Sequence, residues 1–302
     1  MTSADPIILI GAHRSGTTWL GKVFSRHPDL AYWEEPRHVW TWGNAYKKDD
    51  VLTEADARPR VRAHIRGAFD AYVRSQGKRR LVEKTPSNTM RVRFIREVFP
   101  EARLIMVVRD GRSVLRSTGE IMAGGVPMSK IISRARQTPL LEWPAFASQA
   151  AGALGRKLTR KKLAYWGPRP PGWKSWVGVD HPDVILAKQW AGCVTCALDD
   201  IEATERAGAP PVLRFRYEDL MASPREVMDR ICAHCGLETP NPSVEFASDS
   251  ADPKRADKWR AELDEQTLAR VRPIMEPVLR RLGYDWDAPG RDATPAPPDP
   301  GA

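Results

Sequence analysis

The chain has 302 residues, with 47 Lys and Arg against 38 Asp and Glu, a formal net charge of +9. With 42% hydrophobic and 28% charged residues, it reads as a soluble globular chain, neither disordered nor membrane-embedded. The apolar run Pro6 to Ile10 is too short for a signal-peptide core or a bilayer span, so a cytoplasmic protein is expected.

A first strand, Ile7–Ile10, runs into Gly11-Ala-His-Arg-Ser-Gly16-Thr17-Thr18-Trp19-Leu20 and then a helix over Thr17–Arg26. Strand, glycine-bounded turn and helix make an anion site, because backbone N–H groups converge there and the helix dipole adds positive potential. Gly11 and Gly16 have the spacing of a nucleoside-triphosphate loop, but Thr17 stands where that loop needs Lys, and Arg14 is the cation instead. A second strand, Leu30–Trp33, ends in Glu34-Glu35-Pro36-Arg37-His38. A third, Leu81–Glu83, leads into Lys84-Thr85-Pro86 and a helix over Asn88–Val98. Glu83 is the strand-end carboxylate available for magnesium, and Lys84 beside it makes a poor setting for a metal. The fourth strand, Leu104–Val108, precedes Arg109 and a helix over Arg112–Glu120.

Ala123–Trp176 interrupts the alternation. Ten basic residues against one acidic residue, Glu142, lie between Ala123 and Lys174, and the rest of the chain balances. The net charge is therefore that of one insert, which combines Arg156-Lys-Leu-Thr-Arg-Lys-Lys162 with Trp143, Phe146, Tyr165, Trp166, Trp173 and Trp176.

Beyond the insert come a helix over Ile185–Thr204, a fifth strand over Val212–Phe215, and helices over Pro224–Cys235 and Glu265–Leu282. Ser223 as N-cap, Pro224 at the first helical position, Glu226 in a capping box and Gly236 as C-cap bound the first of this last pair. In the other, Leu268, Val271, Ile274, Met275, Val278 and Leu282 form one stripe, which Pro273 and Pro277 interrupt as donors. Cys193-x-x-Cys196 and Cys232-x-x-Cys235 are too far apart for a zinc ribbon and sit in helical patterns, so buried thiols are expected. Short apolar strands alternating with helices predict a three-layer α/β fold, a central parallel sheet of about five strands covered on both faces. Residues 1–287 read as one domain carrying the insert, and 288–302 as a disordered tail.

Arg14-Ser15-Gly16-Thr17-Thr18-Trp19 resembles the phosphosulfate loop of the sulfotransferases that use 3′-phosphoadenosine 5′-phosphosulfate (PAPS). Ile105-Met-Val-Val-Arg109-Asp-Gly-Arg-Ser-Val-Leu-Arg-Ser117 resembles that family's 3′-phosphate segment, and Phe215-Arg-Tyr217-Glu218-Asp219-Leu220 the segment whose Tyr lies near adenine. Glu83-Lys84-Thr85-Pro86 is a fourth match. The ordered set spans residues 6–120 and 185–285 and is closer to the carbohydrate and protein-tyrosine branches than to the cytosolic small-molecule branch. The resemblance implies a P-loop-like fold, transfer of a sulfuryl group from PAPS with adenosine 3′,5′-bisphosphate (PAP) as product, and no metal. It implies further that Arg14, Ser15, Gly16, Thr17 and Thr18 hold the phosphosulfate, that Trp19 and Tyr217 flank the adenine, and that Arg109 and Ser117 bind the 3′-phosphate. The Asp252–Trp259 segment resembles the loop that closes over the 3′-phosphate, with the closing cation open among Lys254, Arg255 and Lys258.

An acceptor hydroxyl, or less often an amine, must lose its proton as it attacks sulfur, and the departing phosphate oxygen gains charge. Arg14 and Lys84 are the cations for that oxygen. The resemblance points to Glu35 as the base, with Glu34 and His38 as alternatives, while His13 contacts acceptor or backbone. Adjacent carboxylates on an extended segment face opposite sides, so one of Glu34 and Glu35 is expected to face the site. Trp33, Trp40 and Trp42 nearby would raise its pKa. The acceptor is expected to be a small molecule, a glycan or a lipid-linked group. The insert then binds an anionic or glycan acceptor, rests on an anionic membrane surface at the inner face, or forms a mobile cap. No specific nucleic-acid partner is expected and the oligomeric state stays open. The competing functions are a P-loop kinase and a polyanion-binding module.

Overall fold

In the computed structural model, which describes residues 4–124 and 165–287, five parallel strands pair in the order β2-β3-β1-β4-β5. They are β1 (Ala4–Ile10), β2 (Leu30–Glu34), β3 (Arg80–Lys84), β4 (Arg103–Val108) and β5 (Leu213–Arg216). Each expected strand is present. Helices α1 (Thr17–Phe24), α2 (Arg37–Trp40), α3 (Pro59–Ser75), α4 (Val92–Val98) and α5 (Gly111–Gly124) precede the insert. Helix α6 (Trp173–Trp176) closes the insert, and after it come α7 (Pro182–Arg206), α8 (Tyr217–Ala222), α9 (Pro224–Cys235), α10 (Pro242–Ser250), α11 (Trp259–Glu262) and α12 (Glu265–Arg281).

The sheet is apolar on both sides because its strands alternate between two cores. Ile8, Ile10, Leu104 and Met106 face a layer holding Ile65 and Phe69 of α3, Phe94 of α4, Val114 of α5, Leu198 of α7 and Val271 of α12. Ile7, Leu9, Ile105 and Val107 face the other, with Leu20 of α1, Leu220 of α8, Ile231 of α9 and Val244 of α10. Each fully buried branched side chain of this kind stabilises the fold by about 1.5–3 kcal/mol. Central β1 pairs with β3 on one side and β4 on the other. The loop after β1 therefore opens where the winding direction of the sheet reverses, the place where α/β folds bind ligands.

Several local expectations change. Helix α3 was not anticipated, although Val61, Ile65, Phe69 and Val73, one turn apart, form its buried stripe. The helix expected over Asn88–Val98 divides into a 3₁₀ turn, Pro86–Met90, and α4, because Arg91 between them leaves helical geometry at φ −143°. There its buried side chain donates from Nε to the Asp50 carbonyl. Ser223, Pro224 and Gly236 bound α9 as expected, but the Ser223 side chain makes no capping bond, so the capping box is absent. Helix α12 runs through Pro273 and Pro277, held by Val271, Met275 and Leu279, all fully buried. The cysteines are free thiols, and the sheet separates Cys193 and Cys196 from Cys232 and Cys235. Residues 125–164 of the insert and the tail 288–302 lie outside the described residues.

Candidate functional site

The phosphate loop turns from β1 into α1 through Arg14 at φ 65° and Gly16 at φ 92°, both in the left-handed region. At Gly16 a side chain is excluded twice. The backbone angle is costly for any other residue, and a Cβ would stand 2.3 Å from the Tyr217 ring. Gly11, at the end of β1, is similarly confined, with the Val107 carbonyl 2.8 Å from the place of a Cβ. The Ser15 amide closes the turn on the Ala12 carbonyl at 3.1 Å. Gly16 caps α1 without a side-chain acceptor, which leaves the amides of the first turn aimed into the loop. Ser15 and Thr17 are buried, and Thr18 and Trp19 half-buried. Trp19 packs on the core beneath α1.

Three further segments meet this loop. Arg14 Nε donates to Ser117 Oγ on α5 at 2.9 Å. Arg109, at the end of β4, donates to the Arg14 carbonyl at 2.9 Å and to the Arg255 carbonyl at 2.8 Å. Its guanidinium lies 4.5 Å over the Tyr217 ring, and its Nε is enclosed with no hydrogen-bond partner among the described residues. Burial and the Arg109 charge push the pKa of Arg14 down, as expected where two cations crowd an anion site. Arg14, Gly16, Arg109, Ser117 and Tyr217 are thus one cluster. Arg255 enters through its carbonyl, while its side chain pairs with Asp252 at 3.2 Å. Lys254 and Lys258 are exposed and share no hydrogen bond with the cluster among the described residues.

A second cluster forms at the ends of β2 and β3, where Leu9, Lys84 and Glu34 stand level across three strands. Lys84 Nζ, almost completely buried, donates to Glu35 Oε1 at 2.9 Å and lies 3.6 Å from Glu34 Oε1. Both carboxylates reach Lys84, which corrects the expectation that only one would face the site. Strand alternation ends at Glu34, and Glu35 at φ 55° turns back towards the same cation. Glu35 pairs with Lys84 and with Arg37, the latter at 3.5 Å. Trp33 stacks on Tyr72, Trp40 packs edge-on against Phe69, and Trp42 stacks on His64. His38 lies edge-on to Trp33, and burial, then the His64 charge, push its pKa down. Glu83 points into the interior, accepting from Thr85 Oγ1 at 2.5 Å and Asn88 Nδ2 at 2.7 Å. Burial pushes its pKa up to about 7 against those hydrogen bonds. Among the described residues no group of three or more His, Cys, Asp or Glu is gathered as a metal ion would need.

Sequence reasoning passed over the residues that join the insert to the site. Asp50 Oδ1 accepts from Arg169 at 2.7 Å, and its Oδ2 accepts from Ser87 at 2.9 Å and from the Arg169 amide at 3.0 Å. Gln189 Nε2 donates to the carbonyls of Trp166 at 2.9 Å and Pro168 at 2.8 Å. Trp166, thus held, lies edge-on to His13 with ring centres 5.8 Å apart. Polar residues scattered from 50 to 189 carry no shared spacing, so no local pattern could have revealed the arrangement. Arg37 had a signal, its place two residues after Glu35.

The model of the Sulfotransferase family matches residues 6–156, half of the chain. Protein-tyrosine sulfotransferase A of Caenorhabditis elegans is 24% identical, over 94% of this chain and 68% of its own. Nodulation protein NoeE of Sinorhizobium fredii is 27% identical, over 36% of this chain and 30% of its own. The chain thus spans about two thirds of the first and under a third of the second. Among solved structures, the sulfotransferase domain from the curacin biosynthetic pathway superposes with a TM-score of 0.54, at 15% identity, over 94% of this chain and 99% of that one. This likeness concerns the fold, a parallel five-stranded sheet between helical layers. Family model and fold agree, and the chain belongs to the sulfotransferase family, as an enzyme that transfers sulfuryl groups.

Proposed function

We propose that the chain moves the sulfuryl group of PAPS to a hydroxyl, less often an amine, of its acceptor and releases PAP. The observation that carries this reading is the Arg14–Ser117–Arg109 cluster, where three segments bring anion donors to one phosphate loop. Among the described residues no carboxylate pairs with Arg109, whose hydrogen bonds go to carbonyls that a phosphate can replace. The unpartnered Nε of Arg109 fits a 3′-phosphate in the same way. Residues 1–287 work as one domain in this reading.

Lys84 and Arg14 neutralise the departing phosphate oxygen, assisted by the amides of Ser15 to Thr18. Glu35 takes the acceptor proton as the acceptor oxygen attacks sulfur from the side opposite that phosphate. Lys84 holds the Glu35 carboxylate in place before transfer. Glu34, the second carboxylate on Lys84, is the alternative base. The acceptor is a small molecule, a glycan or a lipid-linked group, and a protein tyrosine joins these through the C. elegans relative's name. Peripheral contact of the basic insert with an anionic membrane belongs to the same proposal; no helix among the described residues is long and apolar enough to cross one.

Calorimetry with PAP and no magnesium tests the donor site. Binding is expected, and Arg109→Ala should weaken it about tenfold or more, as the loss of a charged hydrogen bond to phosphate does. Absence of PAP binding by the unmutated chain would sink the reading, and magnesium-dependent ATP turnover would favour a kinase. Radiolabelled sulfuryl transfer from PAPS into a tyrosine-containing peptide and into cell extracts then identifies the acceptor.

A further inference from the structure

His13 neither takes the acceptor proton nor neutralises the departing oxygen in the proposed transfer, yet it is buried at the site. It is 3% exposed, its Nδ1 is enclosed, and that nitrogen has no hydrogen-bond partner among the described residues. Trp166, anchored through Gln189, closes one edge of the ring. A buried polar nitrogen left without a partner is costly, and such atoms in folded chains generally answer to something that binds.

Its position says what that something is. In-line transfer places four things in order: the phosphate on the loop, the sulfur, the incoming oxygen and the base. His13 belongs to the phosphate loop, next to Arg14. It is also near enough to Glu35 and Arg37 to feel their charges. A buried loop side chain beside Arg14 and within reach of the base's charge is placed to flank the sulfur between them. We propose that His13 is a sulfuryl-binding residue, its ring N–H donating to an oxygen of the group in transit. This rests on the reading of the chain as a PAPS-dependent enzyme.

The charge state suits that role. Burial, then the Arg14 and Arg37 charges, push the His13 pKa down to about 4 against the pull of Glu35. The ring is therefore neutral at working pH and keeps one N–H to donate. A cationic ring would instead pair with Glu35 and weaken it as a base. During transfer the S–O bond to phosphate breaks, the S–O bond to the acceptor forms, and the acceptor proton passes to Glu35. His13 begins and ends neutral.

PAPS and PAP differ by the sulfuryl group, so comparing them isolates the contact without any acceptor. Calorimetry on the full chain should show that His13→Ala weakens PAPS about tenfold while PAP stays within about twofold. His13→Asn, which keeps an N–H, should recover part of the loss. Equal weakening of both nucleotides means a merely structural role, and no weakening of either means no contact; each overturns the proposal and leaves PAPS dependence standing. If His13→Ala does not fold, the ¹⁵N resonances of the His13 ring in the unmutated chain decide. They should shift with PAPS and not with PAP, and equal shifts overturn the proposal. An unmutated chain that binds neither nucleotide overturns the PAPS reading and the proposal with it.

Discussion

A glutamate at the end of a strand ordinarily faces one side of the sheet, and Glu35 escapes that choice through its left-handed backbone, which returns it to the cation Glu34 already reaches. Lys84 is buried and holds both carboxylates, so the two members of the Glu35–Lys84 pair should fail differently when replaced. Glu35→Gln removes a proton acceptor, and transfer is expected to fall about 10²–10⁴-fold. Lys84→Met removes charge stabilisation at the departing oxygen, with an expected loss of about 10²–10³-fold. Steady-state rates of the two variants and their double mutant check this; losses that simply multiply would contradict a shared role. One residue before Lys84, Glu83 titrates for stability. Its folded pKa of about 7 lies above the unfolded value near 4.5, so its contribution is present at low pH and falls as pH rises through that window. Glu83→Gln cannot titrate, so the variant should gain on the parent by about 2 kcal/mol between pH 5 and pH 8. Melting curves of both proteins across that range read the difference, and parallel curves would refute it.

At the scale of elements, the turn between β1 and α1 carries the site, and its geometry depends on a ring from another segment. Tyr217 lies against Gly16 from the start of α8, beneath Arg109. Gly16→Ala should therefore cost about 1–3 kcal/mol and loosen PAP binding together with stability. Chemical denaturation and calorimetry test this; a variant as stable as the parent would show that the ring moves aside freely. This turn was legible beforehand because a continuous apolar strand, two spaced glycines and a helix start each have a local cause. The direction of Glu35 was not, since it depends on one positive φ that no neighbouring residue type demands. Arg91 shows the same limit: its burial beside Asp50, a tertiary contact, splits a helix that local pattern joined. Helix α3 is different again. Its stripe of Val61, Ile65, Phe69 and Val73 was present in the sequence, spaced wider than the usual three-and-four pattern and crowded by arginines.

For the whole molecule, the parallel sheet and its two cores follow from strands that are apolar on both faces, which is why the three-layer architecture could be inferred without any contact, while the strand order β2-β3-β1-β4-β5 could not. How the basic insert returns to the site could not be, because Asp50, Arg169, Gln189 and Trp166 come together only in the folded chain. The sheet also divides the cysteines, and this makes each layer report on itself. Cys193 is fully buried in one core, and Cys232 and Cys235 are almost completely buried in the other. Burial pushes all their thiols up, Cys235 to about 12, so the reactive thiolate forms only when a layer opens. Half-buried Cys196 should be alkylated first in native buffer. Rapid alkylation of Cys193 there, followed by mass spectrometry, would contradict its burial. In low denaturant, the order in which Cys193 and the Cys232–Cys235 pair acquire label tells which face of the sheet loses its helices first, without a fluorophore, a tag or a substitution.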